Sequence, residues 1–261
     1  MTIPKKEEEE ELSSPTSKII QAIHRLERML TTQAAPTNTD NNTDAVIQAA
    51  TTLIHANPSK IVKRWLGISS GAASSMTLDD VAYVAKTMLD PTGVSANGRD
   101  LLMQLSSGMQ TEEQGSSIDM TSLNDIKYIT KCTREVESYL LSLAVRILWR
   151  QKEASKALDL CTKAIQITTF HMEEASKNTY GVGSANGIYP LLARLYRLQS
   201  LVAESCNVNF GLEMGQRQHL LNAHRMAVIR RDVDTQATLL NIMLCDLLRS
   251  NQGENMYIYI S

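Results

Sequence analysis

The sequence predicts an all-α protein, a solenoid of antiparallel helix pairs, and three observations point there. Leu, Ala, Met and Ile carry the apolar load, while 261 residues include only two Phe and two Trp. Those are helix formers or helix-tolerant types, and the aromatic and β-branched enrichment of a sheet protein is missing. Apolar residues also recur at helical spacing in one segment after another, and no segment shows the period-two alternation of a strand. In the second half such segments follow one another through short breaks, which is the layout of stacked helix pairs.

Taken in order, residues 1–43 read as a charged, solvated tail, a short helix and a linker. The run Glu7–Glu11, flanked by Lys5 and Lys6, is expected to be a solvated terminus, with an interaction tail as the alternative. Ser14 is placed to cap the helix and Pro15 to open it, with Ile19, Ile23, Leu26 and Leu30 in one stripe. Thr31 to Asp44 has a linker's composition. The region 44–118 reads as degenerate helix with an insertion. Asp44 is expected to cap a helix to about Ala56 that turns Val46, Ile47, Ala50, Leu53 and Ile54 inward. Pro58 opens a segment carrying Ile61, Val62, Trp65 and Leu66, and Gly67 is expected to end it. Thr77 and Asp80 have capping-box spacing ahead of Val81, Val84, Ala85 and Met88, and Asp90-Pro91 is the stop. Gly93 to Ser117 reads as a Gly/Ser-rich loop with a weak helical patch at Leu101 to Leu105.

Residues 119–250 hold the strongest pattern. Val136, Leu140, Leu143, Ala144 and Ile147 form one stripe; Leu141, Val145 and Leu148 form a second beside it. A helix apolar on two sides lies between neighbours. After a break at Arg150 to Glu153, a second helix turns Ala154, Leu158, Cys161 and Ile165 inward, and Asn178 to Gly187 reads as a loop. Helices are then predicted over Tyr189–Cys206, Glu213–Arg230 and Asp232 to about Leu248. Arg230 and Arg231 suit the negative end of a helix, and Asp232 is placed to cap the next. That last helix is expected to turn Val233, Ala237, Leu240, Leu244 and Leu247 toward a neighbour, with Leu239, Ile242 and Met243 on its flanks. The turn Trp149-Arg150-Gln151-Lys152-Glu153, followed by Ala154, Ala157 and Leu158, is similar to a tetratricopeptide pair, so the predicted architecture is TPR-like.

Composition and motifs argue against several functions. A net charge of −2 gives no electrostatic case for nucleic acid or a membrane surface. No apolar run reaches the roughly 20 residues of a membrane helix. No signal peptide is expected, and with it reduced thiols, a cytoplasmic and nuclear location and an idle Asn41-Asn42-Thr43 sequon. Cys132, Cys161, Cys206 and Cys245 lie 29 to 45 residues apart, unlike the close pairs of zinc or redox sites. His219 and His224 sit about 140° apart on a helix and cannot share a metal from one face. Gly181 to Gly187 lacks both the preceding strand of a dinucleotide fingerprint and the Lys-Ser/Thr of a P-loop. The expectation is therefore a non-enzyme with no catalytic, cofactor-binding or metal-binding residues. The alternative enzyme reading would use that glycine loop. Arg217, Arg225, Arg230 and Arg231 are the candidate residues for binding an acidic partner.

Three blocks resemble the family of the third non-ATPase regulatory subunit of the 26S proteasome. Arg231-Asp232-Val233-Asp234-Thr235-Gln236-Ala237-Thr238-Leu239-Leu240-Asn241 is similar to that family's R-x-D-x-x-x-Q-A-T-L-L-N run. Glu135-Val136-Glu137-Ser138-Tyr139-Leu140 resembles its E-V-E-x-Y-L helix start. Leu191 to Tyr196, with Leu201 to Glu204, sits where the family has its next helix. The resemblance is good over about residues 131–248, weaker over 44–68, and absent from the linker and the Gly/Ser-rich stretch. It implies a structural subunit of the regulatory-particle lid, a hetero-oligomer with other lid subunits, including a small acidic disordered one. It implies no catalytic residues. Members continue into a PCI module, a winged helix, which this chain is expected to lack. Residues 251–261 match nothing in the family, so a truncated or mis-spliced product is expected. The alternatives are a subunit of another PCI assembly, such as the COP9 signalosome or a translation initiation factor, or a TPR-type co-chaperone. A carboxylate clamp would use Arg146 and Arg150.

Overall fold

The computed structural model describes residues 14–34, 57–91, 93, 95–107, 129–177, 184–206 and 214–250. All regular structure among them is helical, in nine helices. They are α1 (Pro15–Ala34), α2 (Pro58–Ala73), α3 (Leu78–Met88), α4 (Ala96–Ser107) and α5 (Thr133–Arg150). The rest are α6 (Ala154–Ala175), α7 (Ala185–Ser205), α8 (Met214–Ile229) and α9 (Val233–Ser250). The helix predicted over 44–56, the acidic tail, residues 108–128 and residues 251–261 lie outside the described residues.

The all-α expectation holds, and α5 is the centre of the packing. Both of its predicted stripes are buried, Leu140, Leu143, Ala144 and Ile147 on one side and Leu141, Val145 and Leu148 on the other. It touches α3, α4, α6 and α7. Sequence-adjacent helices pair as α1 with α2, α3 with α4, α5 with α6, α6 with α7 and α8 with α9. Two further contacts tie the ends together: α2 packs on α7, and α9 packs on α7.

Two turns share one geometry. After α5, Lys152 N–H donates to Trp149 O and Glu153 N–H to Leu148 O, both at 3.1 Å, with Lys152 at φ 64°. After α8, Arg231 N–H donates to Val228 O at 3.1 Å and Asp232 N–H to Ala227 O at 2.9 Å, with Arg231 at φ 57°. These are Schellman closures made without glycine. In both, an acidic residue directly precedes the next helix.

Several local expectations need correction. The helix at Pro58 runs through Gly67 to Ala73, because nothing crowds Gly67 and Trp65, Ser69 and Ala73 are buried on both sides of it. α1 continues past Thr31 to Ala34, Thr31 Oγ1 donating back to Glu27 O at 2.8 Å. The weak patch at 101–105 is part of a twelve-residue helix, α4. Gly187 lies in the first turn of α7 and not in a loop, since Ser184 caps that helix. On α6, Ala154 and Leu158 are half-buried, while Ala157, Leu160, Cys161, Ala164 and Ile165 face in. The Thr77–Asp80 capping box forms as expected.

A buried polar knot holds α4 to α5 and α6. Glu137 and His171 are fully buried, with Glu137 Oε2 2.5 Å from His171 Nε2. Glu137 Oε1 accepts from Gly98 N–H at 2.8 Å, so a side chain of α5 satisfies the first turn of α4. A Cβ on Gly98 would lie 2.0 Å from that oxygen, and only glycine fits. Beside the knot, Thr168 Oγ1 lies 3.1 Å from Ser138 Oγ. On the α2 side, the Trp65 and Tyr139 rings meet at a centroid distance of 4.5 Å and a 56° tilt. Trp65 Nε1–H also donates to Ala22 O of α1 at 2.7 Å. The whole block Glu135 to Leu140 is interior.

The four cysteines are free thiols; Cys132 and Cys161 are buried and Cys245 is exposed. Burial pushes the Cys132 and Cys161 thiols up to about 12, and Glu135 adds to the effect at Cys132. Thiolate, not thiol, is the reacting form. Alkylation of the native chain at pH 8, read by peptide mass spectrometry, is therefore expected to label Cys245 first. Cys132 and Cys161 should label only after urea is added.

Candidate partner-binding surface

The terminal pair α8–α9 is closed by its turn. Asp232 is buried, and its Oδ1 accepts from Thr235 N–H at 3.0 Å, the N-cap the sequence predicts. Gln236 Nε2 donates to Ala227 O at 3.0 Å, bracing α9 on α8. From α2, Lys63 Nζ reaches Asp234 Oδ1 at 2.5 Å and Ser59 Oγ donates to Asp234 Oδ2 at 3.0 Å. The start of α9 is thus fixed from two directions.

Burial raises the Asp232 carboxyl above its ordinary value, although the Thr235 hydrogen bonds oppose this. The folded chain then holds that proton more tightly than the unfolded chain. Asp232's contribution to stability is therefore greatest at low pH and falls as pH rises through the carboxylate range. Asp232→Asn keeps the cap acceptor without a charge and is expected to match or exceed the parent at pH 7, with the gain vanishing near pH 3. Asp232→Ala should cost about 1 kcal/mol near pH 3 and less at pH 7. Urea melts at the two pH values read both.

The inward face of α9 differs from the predicted one. Leu239 and Ile242, expected on the flank, are buried together with Thr235. Val233, Ala237, Leu240 and Leu244, expected to meet a neighbour, are exposed, and Leu247 is half-buried. Both stripes are apolar, and the pair's own turn decides between them by burying Asp232 and Thr235. The outward stripe has 4-3-4 spacing, the seam of a helix-on-helix contact. Exposure reaches 71% at Val233 and 70% at Leu248. Leu221, Val228 and Ile229 of α8 are exposed as well, Ile229 at 73%. The sequence reading missed these three; the signal was apolar residues on two sides of α8.

Arg230 is turned to α6, its Nη2 3.0 Å from Glu173 Oε1, and its carbonyl lies 3.4 Å from Tyr189 Oη. Arg225 lies five residues before it, about 140° round the helix. Arg225 and Arg231 are exposed, and Arg217 is half-buried and engaged. A groove of about 360 Å³ runs between α6 and α8, lined by Ile165, Phe170, Met172, Met226 and the Arg230–Glu173 pair. Within its polar lining, Arg230 pairs with Glu173 and Thr235 N–H donates to Asp232.

Elsewhere the sequence candidates take structural places. Arg150 donates to Ser74 O, and to Met76 O at 3.1 Å, locking the α2–α3 turn. It is thus held away from a carboxylate clamp. Gly181 to Gly183 lie outside the described residues, and a helix, α6, precedes them. Among the described residues, no three His, Cys, Asp or Glu are grouped to hold a metal ion. None of the described helices is long and apolar enough to cross a membrane. Comparison with protein-family models, curated proteins and solved structures finds no match to the chain.

Proposed function

We propose that the chain is a non-catalytic structural subunit of a large protein assembly, and that the assembly is the lid of the 26S proteasome regulatory particle. The observation that carries this reading is the uncovered apolar stripe on α9. Single exposed leucines are ordinary surface. A stripe at helical spacing, with further exposed apolar residues on α8, fits a docking face. In a stack of helix pairs, an end pair lacking a polar outer face calls for a further helical neighbour. The finer architecture belongs to the same reading: the matching closures of α5–α6 and α8–α9 support TPR-like repeats. The identity of the assembly rests on the resemblance of the Gln236 to Asn241 block, which opens α9 and supplies both its buried Leu239 and its exposed Leu240. Lid subunits as partners and a cytoplasmic and nuclear location follow from the same proposal.

Sedimentation tests it. A tagged chain expressed in cells should co-migrate on a glycerol gradient with particles containing other lid subunits. Migration as a free 29.0 kDa protein, with lid subunits elsewhere in the gradient, would overturn it.

A further inference from the structure

Where α2, α5 and α7 meet, two arginines stand together without a counter-charge. α5 and α7 run side by side in the same direction. A Cβ on Gly187, in the first turn of α7, would lie 3.0 Å from Glu135 Oε1 near the start of α5. Near their ends, Trp149 Nε1–H donates to Ser205 Oγ at 2.9 Å. α2 lies along the same stretch of α5, with Trp65 against Tyr139 and Arg150 donating to Met76 O at 3.1 Å. It packs on α7 as well. Tyr139 and Arg146 are seven residues apart on α5, two turns along one face. Arg194, seven residues after Gly187, falls between them in height. Ser69 follows Trp65 by one turn on α2.

Arg146 and Arg194 are half-buried, and among the described residues neither side chain makes a hydrogen bond or an ion pair. Burial lowers the Arg194 pKa, the charge of Arg146 lowers it further, and only the Tyr139 phenol opposes. The Tyr139 hydroxyl is itself buried and has no hydrogen-bond partner. Burial pushes that phenol up, against the Ser69 hydroxyl and the charges of Arg194 and Arg146. Two guanidinium groups from different helices thus act on one orphaned hydroxyl. Like charges repel more strongly where water is partly excluded, and a buried hydroxyl without a partner costs free energy. One anion relieves both. We infer that this junction is a binding site for a phosphate dianion. A guanidinium is a planar fork of donors that matches phosphate oxygens two at a time, and Tyr139 O–H adds a further donor. Two positive charges balance a phosphate of about −2, whereas a carboxylate leaves one of them uncancelled. The phosphate is that of the free ion or of a phosphorylated side chain, and the half-exposure of both arginines admits either.

Thermal melts of the full chain test it, with inorganic phosphate or sodium acetate at about 10 mM and pH 7.5, at constant ionic strength. Phosphate is expected to raise the Tm of the parent by at least about 3 °C, and acetate to leave it unchanged. Arg194→Gln should abolish the phosphate shift while melting no lower than the parent in phosphate-free buffer, because a repelling neighbour is gone. Arg146→Gln, made from the other helix, should behave alike. Tyr139→Phe keeps the ring against Trp65 and should reduce the shift. A neutral peptide carrying one phosphoserine separates the two sources. Half-maximal shift at a concentration at least tenfold below that of inorganic phosphate assigns the site to a phosphorylated segment, and equal concentrations assign it to the free ion. No phosphate shift in the parent would overturn the proposal, as would an equal shift from acetate or an equal phosphate shift in the arginine variants. Phosphate-free melting of both arginine variants well below the parent would also overturn it, since the arginines would then be held by partners of their own.

Discussion

Glu137→Ala is expected to destabilise the fold by about 3–5 kcal/mol, the cost of removing one member of a buried hydrogen-bonded pair. The substitution strips His171 Nε2 and Gly98 N–H of their partner at once, in a region with no exposure to water. A domain is typically stable by only about 5–15 kcal/mol, so this single change takes a large share. Loss of α4 should come first, because Gly98 is held through Glu137 alone of the side chains on α5. Glu137→Gln keeps an acceptor for Gly98 and a polar group toward His171, and should cost clearly less. Urea denaturation followed at 222 nm measures both. An alanine variant within about 0.5 kcal/mol of the parent would refute the role given to the knot.

Trp65→Ala is expected to cost a similar amount, about 3–5 kcal/mol. Trp65 is fully buried between α1 and α5. It fills the space against Tyr139 and supplies the hydrogen bond that draws α1 onto α2. Its removal leaves a cavity where three helices meet. Trp65→Phe keeps most of the volume and the ring contact and gives up the bond to Ala22 O, for a loss of about 1 kcal/mol. The only other tryptophan, Trp149, donates to Ser205 Oγ at 2.9 Å near the surface. With Trp149 replaced by Phe, the fluorescence of Trp65 alone follows the unfolding of this junction. A Phe variant as damaged as the Ala variant would mean the hydrogen bond, not the packing, dominates.

What could be read from the sequence follows how local each cause is. The two stripes of α5 were legible because a 3.6-residue period writes burial directly into residue order. The Thr77–Asp80 box and the Asp232 cap were legible because their partners lie three residues away. α4 was almost invisible, since its first turn is satisfied by a side chain 39 residues further on and its Gly98 reads as a loop residue. Gly67 read as a stop, yet the packing of Trp65 and Ala73 outweighs the roughly 1 kcal/mol that a mid-helix glycine costs. On α9 the period was right and the face was not. Two apolar stripes compete there, and the buried turn at Asp232 and Thr235 selects one. Of the candidate arginines, Arg230 meets Glu173, a partner 57 residues away that no local pattern reveals.

We propose that the outward stripe of α9 seats a helical neighbour within the lid. Leu240→Glu with Leu244→Glu tests it most directly, since both side chains are about half exposed and their charge leaves the fold of the free chain unchanged. Tagged parent and double variant are purified from cells, and their companions quantified by mass spectrometry. The parent should bring down lid subunits and the double variant at least tenfold less of them. Equal recovery of lid subunits by both chains, or none by the parent, would contradict the account.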